Sequence, residues 1–409
     1  MALQQVSCKS ICLYPHHDKD NYTEEKEVGH SQNYGLLTDL PKDLLGHILS
    51  RTSVDNVIRS SSVCRDWELY ISSKSFMELW RQSCRFQGPP WLFALSTYNC
   101  RDCCSAYNPV MNKWYSIPPL FLPQSLRIPV AAIGGFLLVK GSSTVSQHLA
   151  VCNPISKQWR NLPPLHKPRS SSLISVIERR FHSDGNNGNC SGFQIIVAGG
   201  RSQDANGYEP SIEMYDSLAD SWNVVGEVPC EYAVRLALWT PNDTVYCNGT
   251  IYCLTSARPY SIIAFNSVTG VWSEVMVPRG PHLLCSFLVQ RRDKLTLVGG
   301  VGSPRDCKCL KVWELDEDGW LEIESMPGEF FNSFLGGKTD FDYKFAGNGD
   351  FLYFFKDSQS QMLVCELSSQ NHKTSWRWIP GCSSVGSQFS KCSIRGMFIQ
   401  PRLDVSDFC

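Results

Sequence analysis

The chain has 409 residues, 43% of them hydrophobic and 19% charged, which is material for a sizeable core and length for two or three domains. A net charge of −1 provides no broad basic field of the kind that holds nucleic acid or acidic lipid non-specifically, and no run approaches the roughly 18 apolar residues of a membrane helix. Nineteen cysteines, an odd count in a large chain whose only apolar start is broken by Lys9, point to a reducing cytosolic or nuclear compartment rather than to a secreted disulfide framework.

Residues 1–36 mix His16, His17, Asp18 and Glu24-Glu25-Lys26-Glu27 with little apolar periodicity and read as a disordered leader. Order begins at Leu37-Thr38-Asp39-Leu40-Pro41. Proline suits a first helical turn, Asp43 complements the positive helix end, and Leu44, Leu45, Ile48 and Leu49 share one face. A second helix follows Ser53 as N-cap, with Val54, Val57 and Ile58 inward, and a third carries Val63-Cys64-Arg65-Asp66-Trp67 through Tyr70 and Ile71. A further helical segment, Ser75 to Ser83, reads as a linker, and Pro89-Pro90 ends the helical region.

This stretch resembles an F-box: Leu-Pro, a Leu-Leu and Ile-Leu helix, then Val-Cys, a basic residue and Trp, over Leu37 to Phe76. The resemblance implies docking on a Skp-type adaptor and, through it, a cullin-based ubiquitin ligase. The adaptor-facing positions it implies are Leu40, Pro41, Leu44, Ile48, Leu49, Val63, Cys64 and Trp67. After Ser50-Arg51 the family commonly has Leu-Pro, where this chain has Thr52-Ser53. The apolar face has two readings, packing on the neighbouring domain or docking on a partner; surface of that kind left bare on so long a chain favours the partner.

From residue 90 to 404 the chain is a repeat array. Tyr107-Asn108-Pro109-Val110-Met111-Asn112-Lys113-Trp114 returns as Cys152-Asn153-Pro154-Ile155-Ser156-Lys157-Gln158-Trp159, with a tryptophan seven residues after a strand-like position. Weaker copies run from Tyr215 to Trp222, Phe265 to Trp272 and Trp313 to Trp320, with a stretched one from Cys365 to Trp376. A proline closes each unit: Pro118, Pro163, Pro229, Pro278, Pro327 and Pro380. The tryptophans stand 45, 63, 50, 48 and 56 residues apart, a period near 50 that indicates kelch-type β-propeller blades.

Each blade is expected to hold four strands, with tryptophan filling the space between blades. In the second blade these are Ile128 to Ile133, Phe136 to Lys140, His148 to Cys152 and Gln158 to Leu162, with Gly134-Gly135 as the first turn. Gly199-Gly200 and Gly299-Gly300 follow the second strand of their blades. The first blade starts at Trp91 without an inner strand of its own, and Gly396 to Pro401 is a spare strand that closes a six-bladed ring. The insert Glu178 to Gly192 is a loop in blade three. This half resembles the F-box-associated kelch propellers common in plants. The fold expected is therefore mostly β with a small α domain: an N-terminal three-helix F-box and linker helix over residues 37–83, then the propeller.

Catalytic and metal-binding patterns are sparse. His148, His166, His182, His282 and His372 lack the ligand spacing of a copper oxidase, and Cys100-x-x-Cys103-Cys104 has only Cys307 and Cys309 as distant companions. No metal, cofactor or catalytic residue is expected. Loops between second and third strands carry Arg101, Arg201, Arg258, Arg305 and Lys356, a candidate rim for an acidic or phosphorylated protein segment, with Asp102, Asp204 and Asp306 close by. The reading that follows is a non-catalytic substrate receptor of a Skp–cullin–F-box ligase. A non-degradative binding scaffold and, more remotely, a propeller oxidase are the alternatives.

Overall fold

The computed structural model describes residues 40–83, 88–96, 104–117, 122–141, 148–180, 191–202, 207–238, 244–255, 260–278, 283–303, 306–335, 343–356, 361–367, 374–381 and 394–403. The expected leader and the centre of the insert, residues 181–190, lie outside them. No helix among these residues is long and apolar enough to cross a membrane.

The helical part has four members: α1 (Lys42–Leu49), α2 (Val54–Ser60), α3 (Arg65–Ile71) and α4 (Lys74–Ser83). Pro41 precedes α1, and Ser53 precedes α2 without its side chain capping the helix. Gly46 lets the helices approach closely: a Cβ there would run into the Tyr70 hydroxyl on α3 and lie 3.0 Å from Leu79 on α4, so both side chains would have to shift. The segment expected as a linker is part of the core. Phe76 and Trp80 of α4 are buried, with their rings 6.2 Å apart and Tyr70 5.5 Å from Phe76.

Blade 1 starts with β1 (Trp91–Ser96), β2 (Cys104–Asn108) and β3 (Lys113–Ser116). Blade 2 is β4 (Leu126–Ile133), β5 (Phe136–Gly141), β6 (Leu149–Asn153) and β7 (Gln158–Asn161). A short β8 (Arg169–Ser170) leads into blade 3: β9 (Leu173–Arg180), β10 (Ser191–Ala198), then β11 (Arg201–Ser202) paired with β8, then β12 (Ser211–Asp216) and β13 (Ser221–Glu227). After α5 (Cys230–Leu238), blade 4 is β14 (Thr244–Cys247), β15 (Thr250–Leu254), β16 (Ile262–Asn266) and β17 (Trp272–Val275). Blade 5 is β18 (Leu283–Arg291), β19 (Lys294–Ser303), β20 (Asp306–Asp316) and β21 (Gly319–Ser325). After α6 (Gly328–Leu335), blade 6 is β22 (Tyr343–Asn348), β23 (Phe351–Lys356), β24 (Gln361–Glu366) and β25 (Ser375–Pro380).

The last strand, β26 (Ile394–Ile399), pairs antiparallel with β1 from Trp91 opposite Ile399 to Ser96 opposite Ile394, so the C-terminal strand completes blade 1. Beyond it the Gln400 N–H donates to Gly134 O at 2.8 Å and Asn153 Nδ2 donates to Arg402 O at 3.0 Å, which laces the tail onto blade 2. Gly135 has no room for a Cβ because Arg402 crosses it. Six four-stranded sheets result, and six buried apolar clusters lie between successive blades around the closed ring.

The repeated sequence has a local cause. Asn108, Asn153 and Asn266 each use a side-chain oxygen to accept two following backbone N–H groups, and Asp216 accepts one, which bends the chain out of the third strand of blades 1 to 4. The turn then needs a left-handed residue before the fourth strand: Asn112 (φ 50°), Lys157 (59°), Asp220 (48°) or Gly270 (72°). The tryptophan that follows stands opposite the residue seven back, as in Tyr107↔Trp114, Cys152↔Trp159, Tyr215↔Trp222 and Phe265↔Trp272. Blade 5 departs. A two-residue turn puts Trp320 opposite Leu315, and Trp313 opposite Glu322, although Trp313 and Trp320 are also seven apart. Gly299 and Gly300 also differ from expectation: they lie inside β19, where Leu283 and the Cys285 carbonyl would meet a Cβ on Gly299 at 2.9 and 3.1 Å.

The indoles join the blades. Trp114 Nε1 donates to Pro380 O (2.8 Å), Trp222 Nε1 to Pro163 O (2.8 Å) and Trp320 Nε1 to Met276 O (2.7 Å), in each case from one blade to the closing segment of the blade before. The indole N–H groups of Trp272 and Trp376 are buried without a partner. Trp222→Phe should therefore cost about 1 kcal/mol more in urea unfolding than Trp272→Phe, because only the first gives up an indole hydrogen bond to a part-buried carbonyl while both lose similar volume.

Candidate functional site

The helical domain sits on blade 1 through a polar clasp within an apolar contact. Leu45, Leu49, Val57, Ile58, Phe76 and Trp80 join one buried cluster with Trp91, Phe93, Tyr115 and Ile117 of the propeller. Arg59 Nη2 donates to the Tyr115 hydroxyl at 3.1 Å, and that hydroxyl donates to Asp55 Oδ2 at 3.5 Å. The Tyr115 ring stacks on Trp91 at 5.3 Å, and burial, with Asp55 beside it, pushes the phenol above its ordinary pKa. It stays a neutral donor. The same arrangement joins blades: Arg160 Nη2 donates to the Tyr215 hydroxyl (2.9 Å), which donates to Asp220 (2.7 Å).

This docking divides the apolar face of α1. Leu45 and Leu49 turn inward, whereas Leu44 and Ile48 are 54% and 53% exposed, with Val63 at 63% and Leu69 of α3 at 61%. Leu49, expected among the adaptor-facing residues, is only 4% exposed: being four residues from Leu45, it shares that residue's inner side. Pro41 is also exposed, and Leu40, Cys64 and Trp67 are half-buried. Leu69 was missing from the expected set, although it lies two positions from buried Ile71 and hence about 200° away around a helix. Thr52 stands where an apolar residue is common and turns its hydroxyl to Leu49 O at 2.9 Å.

A second surface lies on the propeller face where first strands begin and second strands end. Of the expected rim, Arg101, Arg258 and Arg305 fall outside the described residues, and Arg201 is exposed. Lys356 is 6% exposed: it ends β23 opposite Tyr343 instead of standing in a loop. Arg201 starts a raised hairpin held by the β8–β11 pairing, by an Arg201–Tyr208 bridge and by Glu209 N donating to Gly200 O at 3.0 Å. Gly200 permits this with φ 110°, since a Cβ would lie 2.6 Å from Ser170 O.

Beneath the hairpin is a fully buried ion pair, Arg169 with Glu213. Arg169 Nη1 also donates to Ser211 O (2.6 Å), and Glu213 accepts the N–H groups of His166 (2.7 Å) and Lys167 (3.0 Å). The His166 ring lies 2.9 Å from Trp222 O. Of the other propeller histidines, His148 is exposed and His182, His282 and His372 lie outside the described residues, as do Cys100 and Cys103. Among the described residues no group of three or more His, Cys, Asp or Glu converges. Arg169→Met should lower stability by about 3–5 kcal/mol, read by urea unfolding, because it strands the Glu213 carboxylate in the interior.

Residues 37–79 match the F-box domain family and residues 106–366 match the KIB1-4 β-propeller family. An F-box/kelch-repeat protein of Arabidopsis thaliana is 26% identical over 95% of this chain and 95% of its own length. From the same plant, F-box only protein 6 is 26% identical over 88% of this chain and 73% of its own, and Protein UNUSUAL FLORAL ORGANS is 22% identical over 86% and 80%. The chain thus belongs to the KIB1-4 β-propeller family and, with its F-box, is a plant F-box/kelch-type protein.

Proposed function

We propose that this protein is the substrate-recognition subunit of a Skp–cullin–F-box ubiquitin ligase, with the box held by the adaptor and the propeller by the target. The observation that carries the reading is the two-sided box. Its inner apolar side is consumed by blade 1, while Leu44, Ile48, Val63 and Leu69 stay in water, an arrangement that favours a partner over a purely internal role. The mechanism is proximity: a target held on the propeller experiences a raised effective concentration of the ubiquitin-charged enzyme, with no catalytic group required of this chain.

Adaptor capture by the purified chain tests this reading. Leu44→Lys with Ile48→Lys should abolish capture by a Skp-type adaptor, at least about a hundredfold in Kd if two apolar contacts of roughly 1.5 kcal/mol each are lost, with the unfolding midpoint unchanged because both side chains are over half exposed. Leu49→Ala should instead cost about 2–4 kcal/mol of stability. Capture that is indifferent to the double lysine variant refutes the adaptor surface. Capture without any change in the half-life of a bound target would move the protein to the scaffold class.

A further inference from the structure

The charge of this nearly neutral chain is unevenly placed around its ring. No aspartate or glutamate occurs between Asp102 and Glu178, a stretch that contains all of blade 2, whereas Glu314 to Glu329, on blade 5 and the connection after it, has seven acidic residues and no lysine or arginine. In a six-bladed ring those two blades are opposite each other. The basic residues of the first stretch divide by use. Arg160 clasps Tyr215, Arg169 is buried with Glu213, and Lys113 and Lys157 belong to the opposite end of their blades.

Over blades 1 to 3, Lys167, Arg201, Lys140 and Arg395 are the cations with described side chains on the face that bears the hairpin. Lys167 and Arg201 are exposed on blade 3, Lys140 lies one residue from the end of β5, and Arg395 lies one residue from the start of β26, where it pairs with Leu95. Burial, with Arg395 next in order, holds the Lys140 ammonium below its ordinary pKa, so the two cations act on one another. Arg395 has contacts of its own and contributes its positive charge to the pair. Tyr208, 43% exposed, adds an aromatic ring across the bridge from Arg201. Glu209, next to Tyr208 in sequence, is half-buried and accepts Ser211 N at 3.1 Å.

We propose that this face, over blades 2 and 3, is where the propeller takes its target, and that what it takes is an acidic segment of a protein, with carboxylate or phosphate groups meeting Lys167, Arg201 and the Lys140–Arg395 pair. The inference rests on the receptor reading above and gives the target its chemistry. The hairpin is suited to the task because the β8–β11 pairing and the buried Arg169–Glu213 pair fix its position before any target arrives.

The test is selection by the full chain, alone and bound to its adaptor, from a displayed library of random twelve-residue peptides. Recovered peptides should be several-fold enriched in aspartate and glutamate, and Lys167→Glu with Arg201→Glu should weaken the best of them at least tenfold. Reversal of Lys308, exposed on blade 5, should leave them within twofold. Neutral or basic peptides, no enrichment, or binding that ignores the double reversal would each overturn the proposal. Adaptor binding, measured on the same variants, separates the two ideas. Its persistence with the wrong peptides removes the acidic target and keeps the receptor, and its absence from the parent removes the receptor while the peptides still decide the surface.

Discussion

At three blade junctions a tryptophan indole donates a hydrogen bond to the closing segment of the preceding blade, and that contact sets how the two blades meet. A four-stranded blade cannot bury both of its faces, so its stability is lent by neighbours, and a neighbour is useful only in one register. The indole supplies that register. Trp114, Trp222 and Trp320 each reach one carbonyl, and the Trp114 bond to Pro380 joins the first repeat to the last. Ring closure is thus secured twice, at the inner edge by β26 on β1 and at the outer edge by an indole.

That constraint explains which parts of the fold could be read in the sequence. Asparagine or aspartate, a left-handed residue and tryptophan form one local hairpin, so their spacing survives where the rest of the repeat has drifted. The same locality misleads in blade 5, where a shorter turn slides the partner of Trp320 to Leu315 while a second tryptophan stands by chance at the expected distance. Non-local requirements left no such trace. Arg160 and Tyr215 are 55 positions apart, and nothing in the spacing of either announces the clasp until the blades are known to be neighbours. The helices α5 and α6 were likewise unannounced, since Pro229 and Pro327 close a repeat and open a helix with the same residue: each carbonyl accepts an N–H four residues on.

The candidate surfaces were legible to different depths for one reason. Periodicity tells which residues share a helix face, but not how wide a part of that face a neighbour covers. In α1 the covered strip is narrow, so Leu45 and Leu49 separate from Leu44 and Ile48, which a helical wheel groups together. On the propeller face, a basic residue placed after an apolar strand reads as a loop residue. Whether it is one depends on how far pairing continues, and in blade 6 pairing continues through Lys356.

The box is attached by the device that attaches blades. Arg59, Tyr115 and Asp55 repeat the arginine, phenol and carboxylate order of Arg160, Tyr215 and Asp220, with α2 supplying both charged partners where the preceding blade supplies only the arginine. Asp55 is buried with one carboxylate oxygen unpartnered, a cost of roughly 1–3 kcal/mol that is sustained only while the tyrosine and its apolar surround stay in place. A hinge at this junction would expose both the carboxylate and the apolar contact at once, which opposes movement of the box against blade 1. Under the proposed receptor role, a fixed junction would turn effective concentration from a property of linker length into a property of the fold, set by the few side chains between α2 and β3.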